Sequence, residues 1–247
     1  MDVILRTFDM RILMCHRSSC STIQSDWFTH VVDTSTVDID KRQQFINIYH
    51  EHAYKYSRSF RHILEHIFLT STSKSCLIIE ADALLQKQSF IIPTNFQSFE
   101  IIRLGYDLFG DADHNLWSTN GKCHSKCICR PVSHSACLVS SRCDIRGTAA
   151  TAYNRKAGAK FLRHMDYVDS VMLRKKRYSG IDMWWPKITN TMLILTPTVF
   201  VQNQTMFPNI YAQNKWKRIV HTPSSSYKNS IRYNASCLSF EGVANVY

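Results

Sequence analysis

Glu80 and Asp82 stand one residue apart at the end of an unbroken apolar run, Cys76-Leu77-Ile78-Ile79. A run without alternation reads as a strand buried on both faces, as in a parallel sheet. In open α/β sheets, ligands bind beyond the carboxyl ends of strands. Two carboxylates placed there can share a hard cation, and that cation can hold a diphosphate. The same spacing recurs at Asp38-Ile39-Asp40 and Asp111-Ala112-Asp113, both in polar surroundings that read as solvated loops. The preceding strand is therefore what singles out Glu80 and Asp82. The competing account is a pair of acids that merely ends a strand.

Other residues could do chemistry. Arg17 follows the first apolar run, Arg11 to Cys15, where a basic side chain can touch a phosphate; a surface arginine in a turn is the alternative. His62 and His66 lie one helical turn apart without a third metal ligand nearby, which favours surface or packed histidines. Five of the nine cysteines, Cys123, Cys127, Cys129, Cys137 and Cys143, fall in one window. Their spacing matches no zinc pattern of paired knuckles, so disulfides or plain thiols are expected, with His114, His124 and His134 keeping zinc open.

The elements that must position these residues follow from periodicity. Arg11 to Cys15 and Phe28 to Val32 read as strands. Ser57 to Thr70 reads as a helix, with Phe60, Ile63, Leu64, Ile67 and Phe68 at helical spacing and Ser57 or Ser59 as its cap. A short loop then leads into the Cys76 strand, and this order is that of an α/β unit. Phe99 to Leu104 reads as a strand closed by Gly105. Asp107 to Cys143 reads as a long inserted loop. Asp144 to Tyr153 is small, apolar and punctuated by glycine, and the chain turns helical at Asn154. Ala157, Phe161, Leu162, Met165 and Met172 mark that helix's buried face, and Arg174 to Arg177 its solvated end. Tyr178 to Trp185 is an aromatic loop. Thr191 to Gln202 reads as an edge strand interrupted at Pro197. A Ser/Thr/Asn-rich tail follows, with a last small element at Cys237 to Phe240.

At 247 residues the chain suits one α/β domain, or one with an appendage. Its net charge of +11 suits an anionic partner, although no block of like charge points to nucleic acid. No stretch is long and apolar enough to span a bilayer. The N-terminus carries charges inside its apolar run and makes a poor signal peptide. The cysteines and the sequons at Asn203 and Asn234 lean towards a secretory lumen. The expectation is the ER or Golgi lumen if a signal precedes this chain, and the cytoplasm otherwise.

In this order the motifs resemble glycosyltransferase family 25, the lipooligosaccharide and collagen galactosyltransferases. That family has an S-H-x-x-x-W-like helix, here Ser59-Phe60-Arg61-His62, then a strand ending L-I-L-E-D-D-A, here Leu77 to Ala83 (L-I-I-E-A-D-A). Its F-D-I-I-x-L-G is similar to Phe99 to Gly105. Its G-T-x-A-Y-x-x-S-R-x-G-A-x-x-L-L is similar to Gly147 to Leu162. A loop aspartate matches Asp182, and P-x-V-x-x-Q matches Pro197 to Gln202, with Pro208-Asn209-Ile210 after it. The middle acid of the family's E-D-D is Ala81, the S-D-I element lacks its Ser and Asp, and the Cys-rich insertion and tail are not the family's.

The resemblance covers roughly Arg11 to Ile210. It implies an A-type, Rossmann-like α/β fold with a mixed sheet flanked by helices. The organisation is then a single domain, with a core over about 11–210, an insertion over 107–143 and a tail over 211–247. It also implies metal-assisted, inverting transfer of a hexose, such as galactose, from a nucleoside-diphosphate sugar (a UDP-sugar) to a hydroxyl. The acceptor would be a glycan, a lipid-linked glycan or a glycoprotein. Mn²⁺ or Mg²⁺ would be held by Glu80 and Asp82, completed by a C-terminal histidine for which His221 is the candidate. Arg17, Glu80 and Asp82 would contact the donor.

Inversion needs a general base that is not a metal ligand. Among Asp144, Asp166, Asp169 and Asp182, the first precedes a strand and the next two sit on a charged helix. Asp182 lies beside Trp184 and Trp185, whose rings could pack on a ligand; the alternative is that Asp182 caps the next turn and the tryptophans are core, and it is the resemblance, which aligns Asp182 with the family's loop aspartate, that favours it as the base. Two rival readings are a basic Cys/His-rich binding module and a catalytically degenerate transferase.

Overall fold

The computed structural model describes residues 7–20, 25–38, 40, 43–85, 92–93, 95–110, 127–196, 198–202 and 238–240. Strand β1 (Met10–Cys15) pairs in parallel with β2 (His30–Asp33) and with β3 (Ser75–Glu80). Strand β8 (Asp144–Asn154) runs antiparallel between β3 and β5 (Ile101–Gly110). Strand β9 (Thr191–Leu195) is parallel to β5, and β7 (Ala136–Ser140) is antiparallel to both β9 and β6 (Cys127–Ser133). Strand β11 (Leu238–Phe240) continues beyond β6. Two short strands, β4 (Ala83–Leu85) and β10 (Phe200–Gln202), pair with each other beside β5. The sheet order is β11-β6-β7-β9-β5-β8-β3-β1-β2. The carboxyl ends of β1, β3 and β5 therefore share one edge with the start of β8.

Alternation sorts the apolar residues into two layers. Cys76, Ile78, Ile101, Met192 and Ile194 face one core, and Leu77, Ile79, Ile102, Leu193 and Leu195 face the other. The first core is covered by helix α1 (Ile48–His62), which continues as a π-helical turn (Ile63–Phe68), and by helix α2 (Arg155–Met172). The second is covered by Phe8, Phe96, Val199 and Phe200. The mixed α/β sheet matches expectation. Among the described residues, both long helices lie on the same face rather than one on each.

Several local expectations are corrected. Helix α1 begins at an Asn47 cap, whose side chain accepts from the His50 N–H, not at Ser57 or Ser59. Those serines are buried in mid-helix, where Ser59 Oγ donates to the Lys55 carbonyl. The Tyr- and His-rich half of the helix lacks the aliphatic period that marks its second half. Strand β5 runs through Gly105 to Gly110. A Cβ at Gly105 would stand 2.9 Å from both the Ala150 N and the Phe200 Cβ, so this glycine admits two neighbouring strands rather than ending one. Much of the expected inserted loop is β5, β6 and β7, and residues 111–126 lie outside the described set. Strand β9 is central, between β5 and β7, instead of an edge.

Cys129 and Cys137 form a disulfide across β6 and β7, and Cys143 is disulfide-bonded as well. A further disulfide, Cys15–Cys20, was not expected from the sequence. No helix among the described residues is long and apolar enough to cross a membrane.

Candidate functional site

Strand β3 carries Glu80 to the sheet edge opposite Met14, and the Ala81 N–H still donates to the Met14 carbonyl at 2.9 Å. The position that is acidic in the family 25 motif is thus held by its backbone. Asp82 follows and is buried, at 6 % exposure.

Glu80 is gripped from two sides. The Tyr56 hydroxyl, on α1, donates to Oε1 at 2.6 Å, and the Thr148 hydroxyl, on β8, donates to the same oxygen. Burial pushes the Glu80 carboxyl up to about 7, and the charge of Asp82 adds to that. The Thr148 and Tyr56 hydrogen bonds act the other way, while Asp182 adds a further upward push. Tyr56 is itself raised well above the usual tyrosine value, first by burial and then by Glu80, so it remains a donor.

Asp182 sits on a single helical turn, Ile181–Met183, and its Oδ2 accepts the Gly147 N–H at 3.3 Å. Gly147 has φ 75°, a left-handed conformation that an L side chain disfavours. Its carbonyl accepts from Arg103, which is fully buried and stacks 4.4 Å over the Trp185 ring. Burial lowers the Arg103 proton affinity, and nearby Tyr153 and Asp182 partly restore it. Arg103, Gly147 and Asp182 thereby form one unit behind the acid pair.

Arg17 lies at the same edge, immediately after β1, and is exposed. It adopts φ 50°, and its N–H donates to Asp33 Oδ1 at 3.0 Å. Asp33 also accepts the Ser35 N–H at 2.8 Å, and the Arg17 N–H is the first cause holding its carboxyl below the usual range. The Cys15–Cys20 disulfide closes the same turn.

The fold therefore gathers Arg17, Glu80, Asp82 and Asp182 at one edge, although Glu80 and Asp182 are remote in sequence. His221 lies outside the described residues, as do the sequons at Asn203 and Asn234. Trp184 and Trp185 are core residues, at 3 % and 1 % exposure, and pack on Tyr178, His164, Tyr153 and Phe161 rather than offering a face to a ligand. Asp169 is not a solvated helix residue: Arg58, Arg61 and Tyr178 bind it. Sequence reasoning missed Tyr56, Thr148 and Arg103. Tyr56 extends the apolar stripe one turn before Phe60. Arg103 is a charge inside the run Ile101-Ile102-Arg103-Leu104, a pattern that buried polar function leaves behind.

The acid pair fits a divalent cation of the Mn²⁺ or Mg²⁺ type. Its donors are hard oxygens, and the burial and the repulsion by Asp82 that raise Glu80 are what a cation would relieve. Both hydroxyls bind the same Glu80 oxygen, Oε1. No group of three or more His, Cys, Asp and Glu side chains among the described residues could hold a metal.

No family model and no curated protein matches the chain. Among solved structures it is similar to a nucleoside-diphosphate-sugar pyrophosphorylase from Vibrio cholerae RC9, at a TM-score of 0.43 and 11 % identity, over 86 % of this chain and 83 % of that one. A likeness so distant assigns neither a fold family nor an activity.

Proposed function

We propose that this chain is an A-type glycosyltransferase of the family 25 kind, moving a hexose such as galactose from a nucleoside-diphosphate sugar to a hydroxyl acceptor. The observation that carries this reading is the convergence of Glu80 and Asp82 with Asp182 at the carboxyl edge of one sheet. The +11 net charge supports an anionic donor. Glu80 and Asp82 would hold Mn²⁺ or Mg²⁺, which when bound would neutralise the departing diphosphate. Arg17 adds a positive charge on the same edge.

Asp182 takes the proton of the acceptor hydroxyl as its oxygen bonds to the anomeric carbon, and the bond to the diphosphate breaks on the opposite side. Its Oδ2 is fixed by Gly147, which leaves Oδ1 to receive the proton. The acceptor would be a glycan, a lipid-linked glycan or a glycoprotein. The disulfides Cys15–Cys20 and Cys129–Cys137 support an oxidising compartment such as the secretory lumen.

A screen of nucleotide sugars tests this reading, scoring Mn²⁺-dependent hydrolysis, transfer and thermal stabilisation. Stabilisation and turnover by one UDP-hexose are expected, and no response to any donor with Mn²⁺ would reject the reading. A degenerate transferase, which Ala81 suggests, would bind donor without turnover. The Cys/His-rich zinc module loses support because Cys129, Cys137 and Cys143 are in disulfides.

A further inference from the structure

The antiparallel ladder between β5 and β8 breaks beside Glu80. Gly105 pairs with Ala150 and Asp107 with Arg146, so Gly147, Thr148 and Ala149 stand opposite the single residue Tyr106. On its other side β8 pairs with β3 from Asn154 to Ala150, where Ile79 is the last partner. Gly147 to Ala149 therefore form a bulge, a device that takes backbone groups out of the ladder and re-aims side chains. Both backbone groups of Gly147 find partners outside the ladder. Its N–H donates to Asp182 Oδ2 at 3.3 Å, and its carbonyl accepts from Arg103. The next residue, Thr148, donates its hydroxyl to Glu80 Oε1. One dipeptide thus touches the acid pair on one side and Asp182 on the other.

Arg103 braces that dipeptide. It is fully buried, and its guanidinium stacks 4.4 Å over the ring of Trp185. A planar guanidinium stacked on a ring has its donors confined to that plane, so the carbonyl it bonds is fixed in direction. Trp185 belongs to the segment that carries Asp182. One side chain therefore holds both partners of the Gly147–Asp182 hydrogen bond. Gly147 meets this demand at φ 75°, where an L side chain is strained.

We propose that the Gly147–Thr148 bulge sets the placement of Asp182 relative to Glu80, and that Arg103 is the positioning residue that locks it. This rests on the transferase reading for what Asp182 does, though not for where it is held. A bulge released from Arg103 would leave the diphosphate held and the base out of line. A misplacement of about 1 Å costs on the order of 10²-fold in rate.

The test uses the full chain, with hydrogen exchange by NMR beside steady-state kinetics. Arg103→Met removes the donors and keeps most of the bulk. It should quicken exchange of the Gly147 amide about tenfold or more. The Asn154 amide, bonded to the Glu100 carbonyl at 3.1 Å in the same strand, should not change. In a UDP-hexose transfer assay kcat should fall about tenfold or more, with KM for the donor within a few-fold. Arg103→Lys, which keeps a donor but not the stacked plane, should recover part of the loss. Gly147→Ala leaves the buried charge in place and should give the same exchange and kinetic pattern, so the test survives if Arg103→Met fails to fold. Thr148→Val acts on the other arm and should weaken Mn²⁺-dependent UDP binding about three- to tenfold, with Thr148→Ser restoring it. Gly147 exchange that Arg103→Met leaves unmoved, or quickens no more than at Asn154, overturns the positioning role. So does a kcat within a few-fold of the parent in both Arg103→Met and Gly147→Ala. A parent chain that turns over no nucleotide sugar overturns the transferase reading alone, because amide exchange decides the placement independently.

Discussion

Tyr56 and Ser57 are neighbours on α1, yet they lead into clusters of opposite electrostatic character. On the Ser57 side, Asp169 meets two guanidiniums, Arg58 at 3.3 Å and Arg61 at 3.4 Å. The buried Tyr178 hydroxyl donates to Asp169 at 2.8 Å, and Ser57 lies 2.9 Å from that hydroxyl. Arg61 also holds Asp166 at 2.6 Å. Each charge there has an opposite charge, and the cluster ties α1 to α2 and to the Tyr178 loop. On the Tyr56 side, Glu80 faces Asp82 and feels Asp182. Burial and the neighbouring carboxylates both disfavour the charge on Glu80 there. A cluster that pairs its charges reads as architecture, while a carboxyl whose proton affinity is raised by burial and neighbouring acids is the pattern on which the proposed site rests.

That contrast can be broken most sharply at Asp82. Asp82→Ala is expected to abolish metal-dependent donor binding while the chain stays folded, as read by calorimetry with UDP and Mn²⁺. Unchanged affinity would remove Asp82 from the site.

Asp182→Asn comes next. It should preserve donor and metal affinity and slow transfer by about 10²-fold or more, the scale of losing a general base. Transfer within a few-fold of the parent would move the base elsewhere.

The paired cluster should respond in the opposite way. Asp169→Ala leaves two guanidiniums and a buried hydroxyl facing each other, and should cost about 1–3 kcal/mol in denaturant unfolding. Donor affinity in the folded protein should not change. A loss of binding at native conditions would erase the distinction between the two clusters.

The smallest effect is expected at Glu80, and its sign is diagnostic. Its carboxyl is raised from 4.5 to about 7, so the folded state holds the proton more tightly than the unfolded chain does. Its contribution to stability is full below about 4.5 and is lost as pH rises through about 7. The metal-free protein should therefore melt lower at pH 8 than at pH 5 on account of this group. Glu80→Gln, whose Oε1 still accepts from Tyr56 and Thr148, should flatten that dependence, and added Mn²⁺ should raise the pH 8 melting point of the parent only. A Glu80→Gln profile parallel to the parent's would assign the slope to other groups.

Much of this architecture was legible locally. The Cys76 to Ile79 run predicts a strand with both faces covered, and β3 has Cys76 and Ile78 in one core and Leu77 and Ile79 in the other. Ala157, Phe161 and Met165 predict the buried face of α2, and all three are buried. The densely basic stretch Arg174 to Arg177 is exposed, as its composition suggests. Periodicity failed where apolar residues are scarce or interrupted. The first half of α1 is built of Tyr, His and Glu, and β6 carries Pro131 among its polar residues. Such segments are stabilised by partners rather than by their own pattern.

The position of Glu80 and Asp82 at a strand end was written in the sequence, because a strand's burial and its polar terminus are both local. What surrounds them was not. Thr148 reaches Glu80 because β8 pairs antiparallel with β3, in a register that sets Ile79 opposite Ala150. Tyr56 reaches it because α1 begins at Asn47 and lies over that edge. Asp182 joins through Gly147, whose neighbours are set by β8 and buried Arg103. Strand order and register are chosen by the whole sheet closing its hydrogen bonds and both apolar layers together. The identity of the acids is therefore a property of the chain, while their shared burial and mutual repulsion exist only in the folded molecule.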